Sequence, residues 1–174
     1  MKSIERREQI LKKLIESDEP IKGQHLAESY GVTRQVIVKD IAILRAIGNS
    51  IISTPNGYTI PVEDDSQGVS KLIAVYHSKD KIYDELKTII KYGGIVKDVT
   101  VEHPVYGEIT AILMLKNLYD IEMLIDKLKS EEALPLSALT KGIHLHTIMA
   151  DSIDTIDMIL EELKAKGYLL NESE

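Results

Sequence analysis

From Pro61 to Gly68 the chain runs Pro-Val-Glu-Asp-Asp-Ser-Gln-Gly, acidic and almost free of apolar side chains, and the periodicity of apolar residues changes across it. A run of that kind has nothing to bury, so it reads as a linker between two units, 1–62 and 69–174. With 174 residues, 44% of them hydrophobic, there is material for one small core and one medium one. Charge divides at the same place. Before residue 61 nine Lys and Arg stand against seven Asp and Glu, and after it twelve stand against twenty-one. The net charge of -7 argues against phosphate binding by the chain as a whole, but its first third is suited to it.

Before the linker the spacing is helical. Ile10, Leu11, Leu14 and Ile15 form one stripe over 6–16. A second helix, 23–30, buries Leu26, Ala27 and Tyr30 and stops at Gly31. Thr33 then caps a third helix reaching about Ile47, with Ile37, Ile41 and Leu44 inward. Ala27, Gly31 and Ile37 stand at helix-turn-helix spacing: a small residue lets two helices approach, glycine accepts positive φ in the turn, and isoleucine pins the second helix to the first. Ile51–Thr54, a turn at Pro55-Asn56-Gly57, and Tyr58–Ile60 predict a hairpin, because Asn-Gly tolerates left-handed backbone. Three helices and a hairpin make a winged helix.

On the solvent face of the third helix, Thr33, Arg34, Gln35, Val38 and Lys39 can reach base edges and phosphates of double-stranded DNA. Arg34 and Gln35, near the helix start, are the expected base readers. Lys39, Arg45 and the wing residue Asn56 are expected on the sugar-phosphate backbone, which orients without specifying sequence. A module that binds another protein is the alternative. His25 is expected at the surface of the second helix.

Past the linker the pattern predicts strand 69–77, helix 80–92 with Ile82, Leu86, Ile89 and Ile90 inward, and strands 96–105 and 109–115 joined at Tyr106-Gly107. Helix 117–130 follows, burying Ile121, Leu124, Ile125 and Leu128, then strand 142–150. Helix 152–166, with Ile153, Ile156, Leu160 and Leu163 on its inner side, ends at Gly167. The order βαββαβ plus a closing helix is the split βαβ arrangement of ferredoxin-like α+β domains.

Pairing the last strand antiparallel with the first would bring His77 to His144 and His146, whose side chains share a face at i and i+2. Glu85, about two turns into the intervening helix, could lean over the same spot. A lone histidine is more often a satisfied polar residue than a ligand. Three imidazoles and a carboxylate together suit a borderline-soft divalent metal, Ni2+ or Zn2+. With no cysteine in the chain there is no thiolate site to compete. His103, alternating with Val99, Val101 and Val105, reads as a core residue or a pocket wall. No apolar run approaches the roughly 20 residues needed to span a bilayer, and Met1 to Ser17 lacks a signal-peptide core, so the expected location is the cytoplasm.

Val32–Ile41 with Leu44-Arg45 resembles the winged helix-turn-helix repressor domains. Val101-Glu102-His103-Pro104-Val105-Tyr106-Gly107-Glu108, Pro135–Thr140 and Gly142-Ile143-His144-Leu145-His146-Thr147 together resemble the 3H domain. A winged helix followed by a 3H domain is similar, over nearly the whole chain, to the niacin-responsive repressors of bacterial NAD biosynthesis and niacin-uptake genes. That resemblance implies a repressor rather than an enzyme, nicotinic acid as corepressor, and a homodimer on operator DNA. It also implies a divalent transition metal in the 3H domain, held by His77, Glu85, His144 and His146. His103, Tyr106, Lys141 and Thr147 are candidates for the rest of the effector pocket, Lys141 being the cation in the immediate run. Two rival readings stay open: a metal-dependent hydrolase, since this ligand set can activate water, and a regulator for which nickel or zinc is itself the signal.

Overall fold

The computed structural model describes residues 2–61 and 68–170, so the expected linker and the boundary at residue 62 lie almost wholly outside the described residues. The chain divides into two compact units, Met1–Asp65 and Ser66–Glu174.

In the first unit, α1 (Ser3–Glu16), α2 (Gly23–Tyr30) and α3 (Arg34–Ala46) precede a hairpin of β1 (Ile52–Thr54) and β2 (Gly57–Thr59). The side chain of Thr33 accepts from the N–H of Val36 and caps α3, while Gly31, at φ +62, closes α2. Ile10, Leu14, Leu26, Ala27, Ile37, Ile41, Leu44 and Ile51 form the core, as their spacing predicts. Asp40 also lies inside, 2% exposed. Arg6 Nε donates to its Oδ2 at 2.7 Å and Arg7 to its Oδ1 at 3.4 Å, tying α3 to α1.

The wing turn is built differently from expectation. Thr54 pairs with Gly57, so Pro55-Asn56 make the turn and Asn56 is not left-handed. Gly57 is needed for another reason. Ile21 and Tyr58 exchange backbone hydrogen bonds at 2.8 and 2.9 Å, and a Cβ on Gly57 (φ +139) would stand 2.4 Å from the Ile21 carbonyl.

The second unit contains β3 (Val69–Tyr76), α4 (Ile82–Lys91), β4 (Ile95–His103), β5 (Gly107–Leu115), α5 (Leu118–Ser130), β6 (Ile143–Ala150) and α6 (Ile153–Ala165). The sheet order is β3-β6-β4-β5, with neighbours antiparallel. β3 and β4 therefore run parallel with one strand between them, which is the split βαβ unit. The common ferredoxin-like order inserts the third strand between the first two and sets the fourth beside the first; here the fourth is inserted, the first lies at one edge and the third lies at the other, beside the second. As a result β6 is flanked on both sides, and its inward residues His144, His146, Ile148 and Ala150 are all buried.

All three helices pack on that face. Val75, Leu86, Ile89, Val96, Leu115, Ile121, Ile148, Ile156, Ile159 and Leu163 lie at the centre of the core, each contributing about 1.5–3 kcal/mol by its burial. The inner stripe of α6 is Ile156, Ile159 and Leu163, whereas Ile153 is 55% exposed. Both that stripe and the expected one satisfy helical spacing, and only packing chooses between them. Between the pairs Val96–Ile148 and Thr100–Leu145, three residues of β4 stand opposite two of β6, a bulge. Among the described residues no helix is long and apolar enough to cross a membrane.

Candidate functional site

In the first unit the solvent face of α3 presents Thr33, Arg34, Gln35, Val38 and Lys39, all exposed. Arg45 is exposed too, but its guanidinium is engaged: Nε donates to the Ile51 carbonyl at 2.7 Å and Nη2 to Ser53 Oγ at 2.8 Å. Arg45, expected on the DNA backbone, also fastens the last turn of α3 to the first wing strand. Asn56 lies half-buried in the turn, its N–H on Thr54 Oγ1.

In the second unit the β3–β6 register sets Ile73 beside His146 and Val75 beside His144, with His77 just beyond the last pair. Gly142 makes that crossing possible, since a Cβ there would stand 2.5 Å from the His77 carbonyl oxygen. Glu85 lies on the inward face of α4 with Leu86 and Ile89, fully buried. All four side chains expected together meet. His77 Nε2 is 2.6 Å and His144 Nε2 3.5 Å from Glu85 Oε2, and His146 Nε2 is 3.3 Å from Oε1. The ring centroids of His77 and His144, and of His144 and His146, are 4.9 Å apart in each case, with near-perpendicular planes.

The other ring nitrogens explain the orientation. Nδ1 of His77 lies 2.8 Å from the Ser78 carbonyl, that of His144 2.9 Å from Gly142, and that of His146 2.6 Å from Asp98. A carbonyl only accepts, so each Nδ1 carries a proton, and the Nε2 of any neutral ring turns a lone pair on Glu85, itself an acceptor when ionised. Glu85 Oε1 and His146 Nε2 accordingly have no hydrogen-bond partner. Such a set needs a cation. Burial works to lower the pKa of His77 and of His146, but the Glu85 carboxylate overrides it and holds both above the ordinary value. Burial works to raise Glu85, yet the imidazoles, His146 foremost, hold it well below the usual carboxylate range. A divalent metal would meet the same need. Ligand atoms of His77, Glu85 and His144 lie within 4.8 Å of one another, and His146 faces the second oxygen of Glu85. Nitrogen and oxygen donors, each ring held by a carbonyl behind it, fit a borderline divalent ion.

The expected effector residues do not gather there. His103 Nδ1 accepts from the N–H groups of Val105 and Tyr106 at 3.1 and 3.3 Å, and its ring lies 5.0 Å from that of Tyr106. It caps the β4–β5 turn, in which His103 pairs with Gly107, rather than entering the core. Tyr106 is 78% exposed. Lys141 is exposed, at φ +54 just before β6. Thr147 alternates with His146 and so faces the other side of the sheet. A cavity of about 210 Å³ beside His144 is lined by Thr100, Glu102, Glu108, Thr140 and Leu145 among others, and by none of the four.

Spacing also missed Tyr168. Its ring sits 5.3 Å from that of His77, and its hydroxyl donates to Asp84 at 2.7 Å. Burial, then that bond, push its pKa up to about 12.

A winged helix with a polar recognition face, joined to an α+β unit, defines a DNA-binding regulator of the helix-turn-helix class. Residues 6–59 match an HTH domain family and residues 70–172 the 3H domain family. The chain is 42% identical over 168 residues to the "Probable transcription repressor NiaR" of Thermotoga maritima, a match covering 97% of this chain and 95% of that one. It is 38% identical over 169 residues to the transcription repressor NadR of Bacillus subtilis, covering 96% and 94%. The chain belongs to the niacin-responsive transcription repressor family and is a DNA-binding repressor, not an enzyme. A GTP cyclohydrolase, MptA of Methanococcus maripaludis, is 29% identical over 123 residues, but these are 35% of its length, too partial a match to bring an activity across.

Proposed function

We propose that this repressor senses nicotinic acid through its 3H domain, where His77, Glu85, His144 and His146 ligate one divalent transition ion, nickel or zinc. Two copies would grip operator DNA at genes of NAD biosynthesis or niacin uptake. The observation that carries the reading is the convergence of three Nε2 atoms on one buried carboxylate, with Glu85 Oε1 and His146 Nε2 left without a hydrogen-bond partner. An ion there supplies a Lewis acid for the pyridine nitrogen or the carboxylate of nicotinate. The protein's own part is orientation: the Ser78, Gly142 and Asp98 carbonyls hold the tautomers.

In the reading head, Arg34 and Gln35 meet base edges and Thr33 and Lys39 the backbone. A dimer presents two such heads to half-sites about 34 Å apart. Nicotinate shifts the dimer's arrangement only by its differential affinity for the arrangements available.

The test is operator binding with and without nicotinate, in metal-loaded and chelated protein, at one stated salt concentration. Nicotinate should change the affinity of the loaded protein alone. Indifference of the loaded protein removes nicotinate from the reading. Operator affinity that follows metal with nicotinate absent makes the ion itself the signal.

A further inference from the structure

We infer that Asp98 is a positioning residue for His146, and that the bulge in β4 gives it that role. The inference rests on the metal reading above. His77 and His144 reach carbonyls one and two residues away, at Ser78 and Gly142. Those carbonyls lie just beyond the paired residues of β3 and β6, and that of Gly142 also accepts from the His77 N–H at 3.5 Å. His146 is in the middle of β6, where a regular antiparallel ladder commits the backbone groups of both strands to each other. Its carbonyl partner comes from another strand, 48 residues away in sequence.

The bulge supplies it. Because three residues of β4 stand opposite two of β6, the ladder opens around Asp98, His146 and Thr147. The freed Asp98 carbonyl takes the His146 Nδ1 proton at 2.6 Å. The Thr147 N–H, left over from the same opening, donates to Asp98 Oδ1 at 2.9 Å. One residue thus orients the ligand with its main chain and repairs the ladder with its side chain. Asp98 is 8% exposed, and its carboxylate has no ion pair among the described residues, so the side chain is placed for a backbone N–H rather than for a cation. A local spacing pattern leaves no sign of this, because the partners are 48 residues apart.

The experiment is a chelator-competed Zn2+ titration of the full chain and its D98A and D98N variants, with thermal melts to report folding and 15N shifts to read the His146 tautomer. Asn keeps the Oδ1 acceptor, so D98N should bind within about threefold of the parent, while D98A should lose about 10–100-fold, the range for groups that orient metal ligands. In the parent, His146 should carry its proton on Nδ1. Parent protein that binds no Zn2+ ends the metal reading itself. Parent binding matched by folded D98A, a tenfold loss in folded D98N, or a parent His146 with no proton on Nδ1 each overturns the role of Asp98 and leaves the metal reading standing. The tautomer measurement needs no variant to fold.

Discussion

His77 Nε2 and Glu85 Oε2 stand 2.6 Å apart with both side chains shut off from solvent, one just past the end of β3 and the other in the first turn of α4. The pair closes the strand-to-helix connection on itself, and His144 and His146 complete a ring of nitrogen donors around the same carboxylate. In the absence of metal, protons must balance that carboxylate, and the stability of the metal-free chain therefore depends on pH.

The sign follows from the shifts. His77 and His146 titrate above their ordinary value, so their contribution is complete below about pH 6.5 and is lost as pH rises through the folded values. Glu85 titrates well below its ordinary value, so its contribution is present above about pH 4.3 and is lost as pH falls through the folded value. Melts of metal-free protein should peak between those limits and decline on both sides. Metal should abolish the alkaline decline and bind more weakly in acid, since its ligands must be deprotonated. A metal-free melting temperature still climbing from pH 6.5 to 8 would refute the assignment.

His146→Ala should lower metal content, measured as bound ion per chain after dialysis, while His103→Ala should not, because His103 sits at the β4–β5 turn with Tyr106. Full occupancy in the first variant takes His146 out of the ligand set.

Arg34→Ala should cut the preference for operator over random duplex by about 1–3 kcal/mol and leave the fold intact. Competition binding measures it, and an unchanged ratio removes Arg34 as a base reader.

Lys39→Ala and Arg45→Ala should differ in salt dependence. Loss of one phosphate contact lowers the slope of log affinity against log salt by about 0.9, which is expected for Lys39. Arg45 is held by Ile51 and Ser53, so its removal should weaken binding by loosening the wing while the slope stays put. A slope change at Arg45 would return it to the DNA backbone.

Gly57→Ala should destabilise the reading head by about 1–3 kcal/mol through backbone strain, added to the collision with Ile21 2.4 Å away. Denaturant melts that match the parent would contradict the packing described for the wing.

Much of this was legible residue by residue. Thr33, Gly31 and the α3 stripe could be read because caps, turns and helical faces depend on neighbours within a turn or two. The His144–His146 face could be read because strand alternation is local, and His77 joined it once first and last strands were paired. Asp40 could not be read as buried, since nothing near it in sequence announces Arg6 and Arg7. The exchange of Ile153 for Ile159 in the α6 interface was equally hidden. His103 was read from alternation as an inward residue, but its ring nitrogen caps the turn two residues on.

By itself the sequence determined a basic helix-turn-helix head, an α+β body, and which imidazoles share a face, because periods of 2 and 3.6 residues are properties of the backbone alone. Tertiary structure decided that β6 lies between β3 and β4, which wall closes over Glu85, and that a carbonyl of β4 holds His146. Those outcomes depend on hydrogen bonds and packing between segments tens of residues apart, whose geometry exists only once the sheet has formed.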